Sequence, residues 1–136
     1  MKRRILLGYQ TICGVSDTAT GLLLIFAPAL TLHLMKLEAV PDTLPFLSYI
    51  GVFVLSVGLT CLYGAYLAPQ PIAVEKLEVV WLLTAMTRAL VALFVVSKVI
   101  SGTLESGWIT VAITDALFAS IQAVGLWKGW LRHVED

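Results

Sequence analysis

The chain reads as an all-α protein, an integral membrane four-helix bundle with both termini on the cytoplasmic side, and three observations predict that class. Of its 136 residues, 59% are hydrophobic and only 13% charged, with a mean hydropathy of +0.92; an ordinary soluble domain carries about a quarter charged residues. The charges are also segregated. Ile5 to Met35 contains only Asp17, Phe46 to Val74 none, Val79 to Ser97 only Arg88, and Ser106 to Trp127 only Asp115. Finally, each run is long enough: a hydrocarbon core about 30 Å thick needs roughly 20 helical residues at about 1.5 Å each.

The spans are expected at about 6–28, 46–67, 79–99 and 108–128, and they fill the chain as one transmembrane domain. The basic start Lys2, Arg3 and Arg4 resembles the head of a signal peptide. Its apolar run, however, outlasts the usual core of about 7–15 residues, so the first span is read as retained. No sequence for a lipid anchor is apparent.

Orientation follows from the basic residues. Lys2, Arg3, Arg4, Lys76, Lys128 and Arg132 fall at the termini and middle loop, against Lys36 and Lys98 on the other side. The side richer in Lys and Arg faces inward, which gives a multi-pass membrane protein with both termini in the cytoplasm. Trp108 and Tyr49 are expected as anchors at the outer interface, and Tyr63, Tyr66, Trp81, Trp127 and Trp130 at the inner one.

The connections carry their own signals. APQPI at 68–72 has two prolines that oppose helix continuation and predicts a tight inner turn. SGTLESG at 101–107 is a short outer link with glycine suited to ending a helix. The longer stretch 27–45 places Leu30, Leu34 and Leu37 at helical spacing, which predicts a short helix lying along the outer surface. A kinked extension of the first span at Pro28 and a lid over the bundle are the alternatives.

Small residues four apart mark where the helices should meet: Cys13, Asp17 and Gly21 in the first span, Ser56, Thr60 and Gly64 in the second, Ala112, Ala116 and Ser120 in the fourth. Such stripes let backbones approach closely in lipid. The three isolated charges belong to the same logic. An unpaired arginine or aspartate at mid-membrane costs roughly 2.5–3.5 kcal/mol on the lenient insertion scale. Arg88 is long and permanently charged, so the sequence predicts that it bridges Asp17 and Asp115 inside the bundle. Thr84, one turn before Arg88, is expected to add a hydrogen bond, with Gln122 and Thr114 as further candidates. The cluster serves as a clamp fixing helix register, as a polar pocket for a headgroup, a small anion or a quinone carbonyl, as a step in proton movement, or as a charge meeting the membrane part of another protein.

Other chemistry finds no support in the pattern. Zero net charge from nine basic and nine acidic residues, with no basic stripe, excludes a nucleic-acid partner. His33 and His133 fall on opposite sides of the membrane and belong to no metal motif, so no metal site is expected. Cys13 and Cys61 fall at comparable depth and read as small packing groups; a redox pair would need Cα atoms within about 7 Å. There is no nucleophile triad or phosphate-cradling glycine loop.

GLLLIFAPALTLHLM at 21–35, a second span rich in small residues around Gly58 and Gly64, and TRALVALF at 87–94 resemble the DoxX-like group of small four-helix bacterial membrane proteins. The resemblance implies that Gly21 and Pro28 frame the end of the first helix, that Arg88 matches an arginine of the third, and that a quinone link is to be considered. The functional expectation is an accessory subunit packed against the integral membrane chains of a larger respiratory or photosynthetic complex, without catalysis of its own. The alternative is an independent membrane protein, enzyme or carrier, that binds a small ligand, lipid or quinone at the Asp17, Arg88, Asp115 cluster. No cofactor is predicted beyond a bound quinone or lipid, and the direct partners are membrane lipids.

Overall fold

The computed structural model describes residues 3–132; Lys2 and His133, both assigned to the inner side above, lie outside the described residues. The fold is all-α. Four long helices, α1 (Arg3–Phe26), α3 (Leu44–Leu67), α4 (Val74–Ile100) and α5 (Ile109–Trp127), run with a short helix α2 (Pro28–Leu34) after the first. Single 3-10 turns at Pro41–Thr43, Pro71–Ala73 and Ser106–Trp108 lead into α3, α4 and α5. Two of these turns begin with proline, whose fixed φ suits the first helical turn and whose missing N–H leaves nothing unbonded there.

Among the described residues, three segments are long and apolar enough to cross a membrane: Pro41–Leu67, Val74–Ile100 and Ser106–Trp127. This is the character of a multi-pass membrane protein. Helix α1 matches α3 in length at 24 residues but is not among them. Its apolar run is interrupted by Tyr9, Gln10, Ser16, Asp17 and three threonines, of which Gln10 is fully buried and Asp17 turned toward other helices.

The helices associate as two close pairs, α1 with α3 and α4 with α5, and the pairs meet chiefly along α3 and α4. Glycine sets the first contact. Gly21 lies against the backbone of Leu55, and Gly58 against the backbone of Asp17 and Thr18, so that a Cβ at either would strike the facing chain. Close approach of this kind lets dispersion and weak polar contacts hold helices where lipid exclusion gives no drive. Helices α1 and α5 keep their backbones further apart and meet through side chains.

Only part of the expected packing is found. Cys13 and Gly21 are buried and Asp17 half-buried, and Gly64 and Ala112 are buried. Ser56, Ala116 and Ser120 are instead exposed and Thr60 only half-buried; the faces in use are Gly51, Gly58, Cys61 and Gly64 on α3, and Ala112, Ala119, Gln122 and Gly125 on α5. Spacing alone does not fix a face, because the hydroxyls of Thr60 and Ser120 bond the carbonyl one turn back, and that of Ser56 the carbonyl of Phe53. Each can thus face lipid with its polar group satisfied. We expect Ser56→Ala and Ser120→Ala to shift unfolding in detergent by no more than about 0.5 kcal/mol, the range of surface changes.

Trp81 also departs from expectation. It is fully buried between Tyr9, Gly125 and Trp130 rather than anchored at an interface. Tyr49, Tyr63, Tyr66 and Trp127 do point outward. Around Trp81, a cluster of Leu6, Leu67, Ala68, Ala73, Leu77, Val80 and Leu131 closes one end of the bundle. At the other end Leu32, Leu37 and Leu47 form a second cluster with Met35, Leu44 and Trp108 around it. The segment after α1 therefore caps this second end, with Leu37 buried, whereas Leu30 and Leu34 remain exposed. Lys36, at φ 58°, makes the left-handed turn that brings Leu37 inward.

Candidate functional site

The site forms where three helices present one charge each. Asp17 stands near the middle of α1, Arg88 near the middle of α4, and Asp115 six residues into α5. The Arg88 Nη1 donates to Asp115 Oδ1 at 2.8 Å, and Nη2 donates to Asp17 Oδ2 in a second ion pair. The Phe118 ring, one turn below Asp115, lies 4.9 Å from the guanidinium carbon. A flat cation with forked donors is suited to this bridge, since it serves two carboxylates and an aromatic face at once. Arg88 thus bridges Asp17 and Asp115, joining α1, α4 and α5.

Burial within the triad is uneven. The Arg88 side chain is 3% exposed, while those of Asp17 and Asp115 keep 14% and 17%. The carboxylates thus retain an open edge, and the guanidinium forms the floor. Counting formal charges, two carboxylates and one guanidinium leave the triad with an excess of one negative charge when all three are ionised. On the α3 side Arg88 is faced by the Cys61 thiol, and its Nε has no hydrogen-bond acceptor among the described residues.

Thr84 does not join the triad. Its hydroxyl donates to the Val80 carbonyl at 2.7 Å and accepts from Gln122 Nε2 at 2.7 Å. Gln122 therefore contributes through Thr84, one turn inward of Arg88. Thr114 is exposed, bonded to the Thr110 carbonyl and apart from the cluster.

Several residues near the site went unrecognised in the sequence. Tyr9 donates its phenol to the Phe118 carbonyl at 3.2 Å and packs its ring on Trp81 with centroids 5.3 Å apart, tying α1 to both α4 and α5. Gln10 and Trp81 are fully buried, and neither Gln10 nitrogen nor oxygen, nor the Trp81 Nε1, nor Gln122 Oε1 has a hydrogen-bond partner among the described residues. A buried donor or acceptor left in that state costs about 1–3 kcal/mol. The sequence does hold a signal for this layer. Gln10, Trp81 and Gln122 each lie seven residues from Asp17, Arg88 and Asp115, always toward the end of the bundle closed by Leu6 and Leu131, and seven residues is nearly two helical turns, so each pair shares a face.

Cys13 and Cys61 are free and fully buried on α1 and α3. We expect neither thiol to react with a maleimide in the folded protein and both to react after denaturation; rapid labelling of the native chain would place them outside the α1–α3 contact. Among the described residues no group of three His, Cys, Asp or Glu side chains could hold a metal ion, and His33 is exposed on α2. Two surface hollows sit at the ends of the bundle, one of about 250 Å³ at Phe94, Lys98, Thr103 and Leu104, the other of about 140 Å³ including Arg3, Leu6, Leu131 and Arg132; neither reaches the triad. Beside the latter, Arg132 pairs with Glu78 through Nε at 2.7 Å, holding the turn after α5 against the start of α4.

The fold and site define a helical membrane protein with a buried ion cluster. Comparisons with known proteins add no family: no family model matches the chain, and no curated protein or solved structure is significantly similar to it.

Proposed function

We propose that the chain is a four-span protein of the bacterial inner membrane with both termini cytoplasmic, and that it works on its own as a binder of a small amphipathic ligand at the Asp17–Arg88–Asp115 triad. The long helices α1, α3, α4 and α5 are the spans. Helix α1 joins the more apolar three because its strongly polar residues turn into the bundle, where neighbouring helices and not lipid surround them. The excess of basic residues at the two ends and at Lys76 supports the orientation.

The observation that carries the binding reading is the uneven burial of the triad. Both Nη atoms of its guanidinium donate to carboxylates, yet both carboxylates keep an exposed edge. An exposed carboxylate edge accepts hydrogen bonds and attracts positive charge. The matching ligand is a lipophilic amine or another headgroup rich in donors, entering between α1 and α5 with its apolar part among lipid tails. A quinone presents carbonyl acceptors and matches these edges poorly. That weighs against the quinone link implied by the DoxX-like resemblance, which rests on the sequence pattern alone. The role is binding or carriage rather than catalysis.

The rival is an accessory subunit of a larger membrane complex, in which the same triad only clamps the helices. The near-complete burial of Arg88 is its best support. Purification in mild detergent followed by mass analysis separates the two. The binding reading expects the chain free of stoichiometric partner chains, and a fluorescent alkylammonium probe in lipid nanodiscs that binds the native chain and loses at least tenfold in affinity with Asp115→Asn. Stoichiometric membrane partners together with no probe binding would overturn it.

A further inference from the structure

The three helices that carry the triad repeat a polar position one layer further in. Asp17 is matched by Gln10 on α1, Arg88 by Trp81 on α4, and Asp115 by Gln122 on α5, each seven residues away and about 10 Å inward at helical rise. All three inward side chains are fully buried, and each offers at least one hydrogen-bonding atom that no described residue meets. Thr84 and Gln122 bond to each other within this stretch, and Tyr9 lies on Trp81.

The outward side is different. Seven residues outward of the triad the same helices carry Leu24, Val95 and Trp108, and the buried neighbours there are Gly21, Leu47, Gly51, Ala92 and Ala112. Gln10, Trp81 and Gln122 thus extend open hydrogen-bonding atoms from the triad toward one end, where they meet the apolar cluster of Leu6, Leu67, Leu77 and Leu131, while buried Thr31 toward the other end bonds the Ala27 carbonyl. A buried polar layer with open hydrogen-bonding atoms on several helices is the setting that holds internal water, each molecule needing two to four polar partners.

We propose that the bundle holds one exchangeable proton at the Asp17–Arg88–Asp115 triad, and that the proton comes and goes on the inner side through water bound by Gln10, Trp81 and Gln122. The excess negative charge of the triad supplies the reason. Two carboxylates facing one guanidinium in an apolar interior are neutralised by one added proton, shared between the acids. The groups facing the triad from the packed helices are Tyr9 and Cys13 on α1, Cys61 on α3 and Arg88 on α4; none of them brings a second positive charge. The proton is taken from water at the inner surface and returned there, so no other reactant is needed. This inference rests on the membrane placement proposed above, while the proton is what the triad carries when no cationic ligand is bound.

Infrared difference spectroscopy on the full chain in lipid nanodiscs, without ligand, tests it. The native protein should show a carboxylic-acid C=O band at neutral pH that is lost in both Asp17→Asn and Asp115→Asn, since either change leaves one acid opposite one guanidinium. The nearly isosteric pair Gln10→Met with Gln122→Met should keep the band but slow its shift on transfer to heavy water by at least tenfold. Absence of the band from the native protein would overturn the proton. A band whose exchange is unchanged in the double variant would overturn the route. Thermal unfolding of each variant guards against a folding defect, with Gln122→Asn as the polar control that adds no carboxyl and should retain fast exchange. Since no ligand is present, a failure of alkylammonium binding leaves these readings intact.

Discussion

Arg88→Met is expected to destabilise the bundle by about 3–5 kcal/mol, the cost of removing one partner from a buried ion pair and leaving the other uncompensated. Here the loss strands two carboxylates, Asp17 on α1 and Asp115 on α5, that the guanidinium had joined from α4. Neutralising the acids as well, in the triple variant Asp17→Asn, Arg88→Met, Asp115→Asn, should recover most of the stability, because a triad replaced as a whole leaves no isolated charge. Arg88→Lys should recover little. A lysine ammonium is a single point of charge on a flexible stem and lacks the planar fork that serves both acids together. Denaturant unfolding in mixed micelles, followed by tryptophan fluorescence, measures all of these. If Arg88→Met unfolds like the native chain, the carboxylates do not converge on the guanidinium.

The second large effect is steric. Gly58→Ala places a methyl group against the backbone of Asp17 and Thr18, where there is no flexible side chain to swing aside. Overpacking of this kind costs about 1–3 kcal/mol, and the cost should sit at the upper end because α1 must shift as a body. That shift also moves Asp17, so the variant should weaken the Arg88 bridge and show less than additive loss when combined with Asp17→Asn. Gly8→Ala is the control: nothing lies within 4 Å of a Cβ there. Exchange of a helical glycine for alanine in open space should stabilise by up to about 1 kcal/mol. Equal effects at the two glycines would mean that α1 and α3 do not meet at Gly58.

The residues that define the site were legible in unequal measure. Asp17, Arg88 and Asp115 stood out because a charge in an apolar run is expensive, and expense of that size forces convergence whatever the details of packing. Gln10 and Trp81 did not stand out. A glutamine or a tryptophan is unremarked near a membrane surface, and only the shared seven-residue offset from the charges tells that they belong to the same faces. Thr114 and Thr84 illustrate the limit from the other side. Both are threonines near a charge in sequence, yet Thr84 is buried with Gln122 while Thr114 bonds its own helix and faces outward.

Helix content, three of the four long apolar segments and the identity of the charges that must be paired were determined by the sequence by itself, because each depends on quantities summed along the chain: length, hydropathy and charge spacing. The choice of packing face was left to the tertiary structure. Ser56, Ala116 and Ser120 satisfied the small-residue rule as well as Gly51, Gly58 and Ala119 did, and a hydroxyl bonded to its own helix carries little penalty in lipid. Only the fit of α1 against α3, fixed where glycine admits the facing backbone, turned Asp17 toward Arg88 and set Gln10 in the layer beneath it.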